Sequence, residues 1–174
     1  MDDSYLANVK FLIVEDNHFM RSVIRRVLGA LNVKEIREAA DGADALKILN
    51  NYEADILITD WVMDPMDGID LTKTIRTASD SANPFLPIIM LTAHSEINRI
   101  TEARDAGVNE FVVKPISVNT LFSRIRAVID RPRPFVRASS YFGPDKRRQA
   151  ARFEGPDKRK DETAPANTEM GAMA

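Results

Sequence analysis

Ile56-Leu57-Ile58-Thr59-Asp60 decides how the rest of the 174-residue chain is read. An unbroken apolar and β-branched run of this length reads as a strand buried on both faces, the mark of a parallel sheet. Trp61-Val62-Met63-Asp64-Pro65-Met66-Asp67-Gly68 then turns the chain away. An Asp at the carboxyl end of such a strand stands where open α/β sheets place their ligands. Taken alone, Asp60 is equally a solvated turn residue or a helix cap. What ends the other strands breaks the tie.

Upstream, Lys10 to Val14 reads as a short buried strand that runs into Glu15-Asp16-Asn17. Asn17 is placed to cap the next helix, because its side chain can accept from a free N–H of the first turn. Phe19, Met20, Val23, Ile24, Val27, Leu28 and Leu31 then recur at helical spacing, with Arg21, Arg25 and Arg26 on the other face. Glu35 to Ala39 gives a second strand, broken by Asp41-Gly42, and Ala43 to Leu49 a second helix. Downstream of Asp60, Ile69, Leu71, Thr72 and Ile75 mark a third helix, and Ile88 to Thr92 a fourth strand. Ile97 to Ala106 reads as a polar helix stopped by Gly107 at the position past a helix end that favours glycine. Glu110 to Val113 is strand five, followed by Lys114-Pro115, and Ser117 caps a last helix running through Ile129. Strand then helix, five times, predicts a doubly wound α/β fold with right-handed crossovers. The order 2-1-3-4-5 is one of two common for such sheets.

Composition narrows the setting. With 44% hydrophobic and 29% charged residues the chain resembles an ordinary soluble protein. It has no cysteine, so disulfide frameworks and thiolate metal sites are excluded, which suits a cytoplasmic location. No apolar run approaches the roughly 20 residues of a membrane span, and the acidic Met1-Asp2-Asp3-Ser4 is unlike a signal peptide. Charge is unevenly spread: −6 over residues 1–130, +7 over 131–160 and −3 over 161–174. That asymmetry points to an acidic domain carrying a basic segment for an anion.

Just past the strands stand Glu15 and Asp16, Asp60, Thr92 and Lys114, all on one edge of a parallel sheet. Crowded carboxylates repel one another unless a cation joins them. Hard oxygen ligands without Cys or His favour Mg²⁺. An ammonium and a hydroxyl beside them would suit an incoming phosphoryl group. His18 and His94 fit no metal-ligand spacing and read as surface or loop residues.

These motifs, in this order and spacing, resemble the receiver domain of bacterial two-component response regulators, the CheY-like family, over residues 8–130. The resemblance rests on Glu15-Asp16, on Asp60 with Met66-Asp67-Gly68, on Thr92-Ala93 and on Lys114-Pro115. It implies a flavodoxin/CheY-like (βα)5 fold and phosphorylation of Asp60 by a histidine kinase. It implies that Glu15, Asp16 and the backbone carbonyl of Val62 help Asp60 to hold Mg²⁺, and that Thr92 and Lys114 grip the phosphoryl oxygens. The chain departs from the family pattern twice. Phe111 stands where a tyrosine is usual, and Asp64 precedes Pro65 where the proline usually follows the methionine directly. An enzyme is not expected, because receivers only assist their own phosphorylation and dephosphorylation.

Beyond Asp130, Arg131-Pro132-Arg133-Pro134 is too proline-rich to continue the helix. A repeat follows. Tyr141-Phe142-Gly143-Pro144-Asp145-Lys146-Arg147-Arg148 is echoed by Phe153-Glu154-Gly155-Pro156-Asp157-Lys158-Arg159-Lys160. The plain reading is a duplicated, solvated basic tail. The sharper one is that each Gly-Pro turn aims the following Asp and basic residues. Arg forks pair with guanine O6 and N7, a carboxylate accepts from guanine's Watson–Crick edge, and aromatics offer stacking platforms. Two copies suit a ligand with two guanines, and cyclic di-GMP is such a ligand. Asp145 and Asp157 would read guanine edges, Tyr141 and Phe153 would stack, and Arg147, Arg148, Arg152 and Arg159 would supply Hoogsteen-edge, stacking and phosphate contacts. Arg137, Lys146 and Lys158 complete the basic set.

The segment 131–160 resembles the arginine-rich C-terminal segment of the Cle group, CheY-like proteins that bind cyclic di-GMP. That resemblance implies a nucleotide-triggered regulator that engages the flagellar motor switch protein, with recruitment to the flagellar pole. The alternatives are an Asp60-phosphorylated regulator or phosphorelay carrier whose tail contacts a partner, and non-specific nucleic-acid binding by the tail. DNA is not expected as a partner, since no DNA-binding domain fits after Asp130. Without ligand, residues 131–174 are expected to be disordered, being rich in charge and proline and lacking an apolar period.

Overall fold

In the computed structural model, residues 5–93 and 99–147 are described. Five strands, β1 (Lys10–Val14), β2 (Glu35–Ala39), β3 (Ile56–Asp60), β4 (Ile88–Thr92) and β5 (Glu110–Val113), alternate with five helices. The helices are α1 (His18–Ala30), α2 (Gly42–Leu49), α3 (Gly68–Thr77), α4 (Ile100–Ala106) and α5 (Val118–Asp130). The strands form one sheet in the order β2-β1-β3-β4-β5, every pairing parallel. β3 is central, and all five of its residues are buried. Among the described residues no helix is long and apolar enough to cross a membrane.

Alternation along the strands divides the core into two layers. Leu12, Val14, Leu57, Ile88 and Met90 meet Ala45, Leu71, Ile75 and Ala103 from α2, α3 and α4. Phe11, Ile13, Ile56, Ile58, Ile89 and Leu91 meet Ile24, Leu28, Leu121 and Ile125 from α1 and α5. The caps fall where expected. Asn17 accepts from the N–H groups of Phe19 and Met20, and Ser117 from that of Thr120. Gly107 ends α4 in the left-handed region at φ 105°. Asp41 caps α2, which begins at Gly42, one residue before the expected start.

Three expectations need correction. Phe19 shares the helical spacing of the inward face of α1 but is 69% exposed, because the buried contacts of that face begin further along the helix, at Ile24 and Leu28. Residues 131–147 are not disordered. β6 (Phe135–Ala138) and β7 (Tyr141–Pro144) pair as an antiparallel hairpin turning at Ser139-Ser140. Gly143-Pro144 therefore lies in a strand and not in the turn. The expectation of disorder over 148–174 lies outside the described residues.

The hairpin is ordered by what it lands on. An isolated two-stranded hairpin is marginal in water. This one packs β7 against α3 and α4. Phe135 and Phe142 meet Phe85, at centroid separations of 5.1 and 5.2 Å. The buried Arg76 lies under the Phe135 ring and donates to the carbonyls of Gly107 and Pro84 and to Asn109 Oδ1. Arg133 donates to the carbonyls of Asn109 and Asp145, and Lys146 pairs with Asp105 at 2.7 Å.

Candidate functional site

Strand register builds the site. Val14 is opposite Thr59, Asp60 opposite Leu91, and Thr92 opposite Val113. The residues at or just past those pairs, Glu15, Asp60, Thr92 and Lys114, therefore stand side by side at one edge. Gly68 closes the loop behind Asp60. Its N–H donates to the Trp61 carbonyl at 2.9 Å, and a Cβ there would come within 2.2 Å of the Asp60 carbonyl oxygen. Only glycine fits that approach. Asp67 caps α3 by accepting from the Asp70 N–H.

Lys114 Nζ lies 2.8 Å from Asp60 Oδ1 and 3.2 Å from Glu15 Oε2. Glu15, Asp16 and Asp60 each bring a carboxylate oxygen within 4.8 Å of the others. Glu15 is 1% and Asp60 8% exposed, whereas Asp16 faces solvent. Burial, then the neighbouring Asp60 charge, pushes the Glu15 carboxyl above its usual range, against the pull of Lys114. Burial favours the neutral amine at Lys114, but its hydrogen bond and charge attraction to Asp60, with Glu15 adding, hold the ammonium above its usual value. A hard divalent cation would relieve the remaining repulsion, and three oxygen donors of this type fit Mg²⁺. Thr92 is fully buried, and its hydroxyl donates to the Ala93 carbonyl at 3.1 Å. Val62 sits two residues past Asp60 with its side chain exposed.

Glu15, Asp16, Asp60 and Lys114 thus form one cluster, and Thr92 stands at the end of β4 on the same sheet edge. Phe111, at the position where the family usually has a tyrosine, is half-buried against the layer under α2, α3 and α4. Arg21, read from sequence only as an outer-face residue, is a missed member of the site. Its Nη1 donates to the Glu15 carbonyl at 2.6 Å, and its Nε lies 3.4 Å from Glu38, bracing the acidic loop. No sequence spacing announces a contact from α1 back to the loop before it.

The tail residues divide. Gly143 and Pro144 are buried, and Tyr141 donates to the Pro144 carbonyl at 2.6 Å beneath the Lys146 ammonium. These residues, with Lys146, dock the hairpin. Arg137 lies over the Phe142 ring, 4.4 Å from its centroid. Asp145 accepts from the Arg147 backbone N–H, from Nε and from Nη2, at 3.0 to 3.2 Å. Those bonds hold the Asp145 carboxyl below its usual range. Arg148, Arg152, Phe153, Gly155, Pro156, Asp157, Lys158 and Arg159 lie outside the described residues.

Comparison with known proteins agrees with this geometry. Residues 11–126 match the model of the response regulator receiver domain, and the chain belongs to that family. It is 40% identical over 124 residues to chemotaxis protein CheY-3 of Vibrio cholerae, covering 71% of this chain and 94% of that one. The structure of Vibrio cholerae chemotaxis protein CheY4 superposes with a TM-score of 0.63 at 30% identity, over 70% of this chain and 98% of that one. The receiver domain of a sensor histidine kinase from Pseudomonas aeruginosa, with a magnesium ion coordinated in its active site cleft, gives 0.61 at 28% identity, over 69% and 96%. The chain carries a response regulator receiver related to CheY chemotaxis proteins. The family match stops before β6, so the hairpin lies outside it.

Proposed function

We propose that this chain is a single-domain response regulator that takes cyclic di-GMP through its arginine-rich segment and then engages the flagellar motor switch protein. The observation that carries this reading is the first repeat copy, where Asp145 and Arg147 are held side by side on a docked hairpin. The Arg147 side chain is 76% exposed. A carboxylate acceptor beside a planar fork of donors is the pair of groups that guanine's two edges require. Gly155-Pro156-Asp157-Lys158-Arg159 repeats the same residues for a second guanine.

Two substitutions test it. If guanine is recognised, Asp145→Ala and Asp157→Ala each weaken cyclic di-GMP binding, since a hydrogen bond to a charged group contributes about 1.5–3 kcal/mol. Binding to generic RNA then stays level or rises. For a merely electrostatic tail, removing a carboxylate tightens every anionic ligand alike, and that result would overturn the reading. Titration calorimetry with GTP and RNA as controls distinguishes the two.

A second reading is favoured by Lys114 spanning Asp60 and Glu15. In it Asp60 is the phosphoacceptor for a histidine kinase, with Thr92 and Lys114 on the phosphoryl oxygens. Glu15, Asp16, Asp60 and the Val62 carbonyl would hold Mg²⁺, which neutralises the charge that develops in phosphoryl transfer. Labelling by a small phosphoryl donor should vanish in Asp60→Asn. Labelling that survives in that variant places the phosphosite elsewhere.

A further inference from the structure

Phe85, in the loop between α3 and β4, is 56% exposed although it belongs to a cluster of three rings. Its partners Phe135 and Phe142 each carry a guanidinium on a face, from Arg76 at 5.0 Å and Arg137 at 4.4 Å. Among the described residues no cation covers Phe85. Both neighbouring rings are steeply inclined to it, at 61° and 82°, so neither stacks flat upon it. Its loop is braced: the Phe85 N–H donates to Asn83 Oδ1 at 3.0 Å and the Leu86 N–H to the Asn83 carbonyl.

The surroundings suit a ligand that joins a planar base to negatively charged phosphates. Arg137 is exposed on the neighbouring strand. The Asp145–Arg147 pair follows directly after Pro144, which is opposite Phe135 in the hairpin. The Asp145 N–H donates to the Pro134 carbonyl at 2.7 Å, which ties that pair to the Phe135 end of the cluster.

We infer that Phe85 is a stacking platform for a purine base of the nucleotide ligand. The receiver domain itself, and not the arginine-rich segment alone, then forms part of the ligand site. The inference rests on the cyclic di-GMP reading and extends it to a residue outside the repeat. Base–aromatic stacking tolerates any base and needs only an accessible ring face. Hydrogen bonding at the guanine edge is left to Asp145 and Arg147. A ligand seated this way joins the hairpin to the loop that leads into β4, at whose far end Thr92 stands.

The test is cyclic di-GMP affinity in the full chain, by titration calorimetry. Phe85→Leu keeps apolar bulk against Phe135 and Phe142 but removes the ring, and Phe85→Trp enlarges the platform. The expected result is about a tenfold loss for Phe85→Leu, with wild-type or tighter binding for Phe85→Trp. Ring-proton shifts of Phe135 and Phe142 report whether the hairpin stays docked in each variant. Phe85→Leu binding like wild type overturns the platform and leaves the cyclic di-GMP reading standing. A loss of affinity accompanied by undocking of the hairpin in Phe85→Leu, unrescued in Phe85→Trp, makes Phe85 a packing residue and also overturns it. Failure of the wild-type chain to bind cyclic di-GMP overturns both.

Discussion

At the scale of single residues, the site depends on close approaches that leave no room for alternatives. Gly68 has the Asp60 carbonyl oxygen where a methyl group would go. Gly68→Ala must move either the end of β3 or the start of α3, and both are buried. Its unfolding free energy, from urea denaturation, should drop by about 1–3 kcal/mol, the usual range for overpacking. Lys114 works by charge rather than shape. Two buried carboxylates accept from one ammonium, and this offsets the desolvation that would otherwise favour the neutral amine. Both residues were legible in sequence, Lys114 directly after β5 and Gly68 where the turn after β3 gives way to α3. Arg21 was not, because its partner is a carbonyl, and any residue can offer one.

At the scale of elements, the five strands and most helix boundaries followed from local pattern. β6 and β7 did not. Phe-Val-Arg-Ala and Tyr-Phe-Gly-Pro have too little apolar alternation to specify a hairpin. Its order comes from Arg76, Arg133, Phe85 and Asp105, all outside the strands. Tyr141 gives a handle on the docking. Burial pushes its phenol above the usual value, with Asp105 and Asp145 adding and Arg133 and Arg76 opposing. A folded-state pKa above the unfolded value means that this contribution is fully present below pH 10 and lost as pH rises through the raised value. The urea midpoint of the wild-type chain should therefore fall more steeply above pH 10 than that of Tyr141→Phe, in which Tyr5 and Tyr52 keep their own raised phenols. That variant should also be less stable at neutral pH by about 1 kcal/mol, for the lost bond to the Pro144 carbonyl.

At the scale of the whole molecule, acidic site and hairpin sit at different places on one scaffold. The acidic site lies at the carboxyl ends of the strands, and the hairpin docks near the opposite ends of β4 and β5, around Phe85 and Asn109. A cation at the first should stabilise the whole fold, because it binds the assembled carboxylates and not the unfolded chain. At a hundredfold excess over the dissociation constant the gain is about 2.7 kcal/mol. Adding Mg²⁺ should raise the melting temperature, chelation should reverse it, and Asp16→Ala should abolish most of the rise. A melting temperature indifferent to Mg²⁺ would show that Lys114 alone balances the carboxylates.

The sequence by itself determined the α/β class, the strand ends and the acidic edge. Those features depend on short unbroken apolar runs, helix caps and single residues following strands, which are local. Strand order needed the tertiary structure, as did the exposure of Phe19, the brace from Arg21 and the docking of the hairpin. Each of these depends on which surfaces meet after folding. The tail's arginines and aromatics looked alike along the chain. Packing separated Gly143 and Pro144, enclosed against the receiver, from Arg147, left to solvent, because burial is a property of the neighbour as much as of the residue.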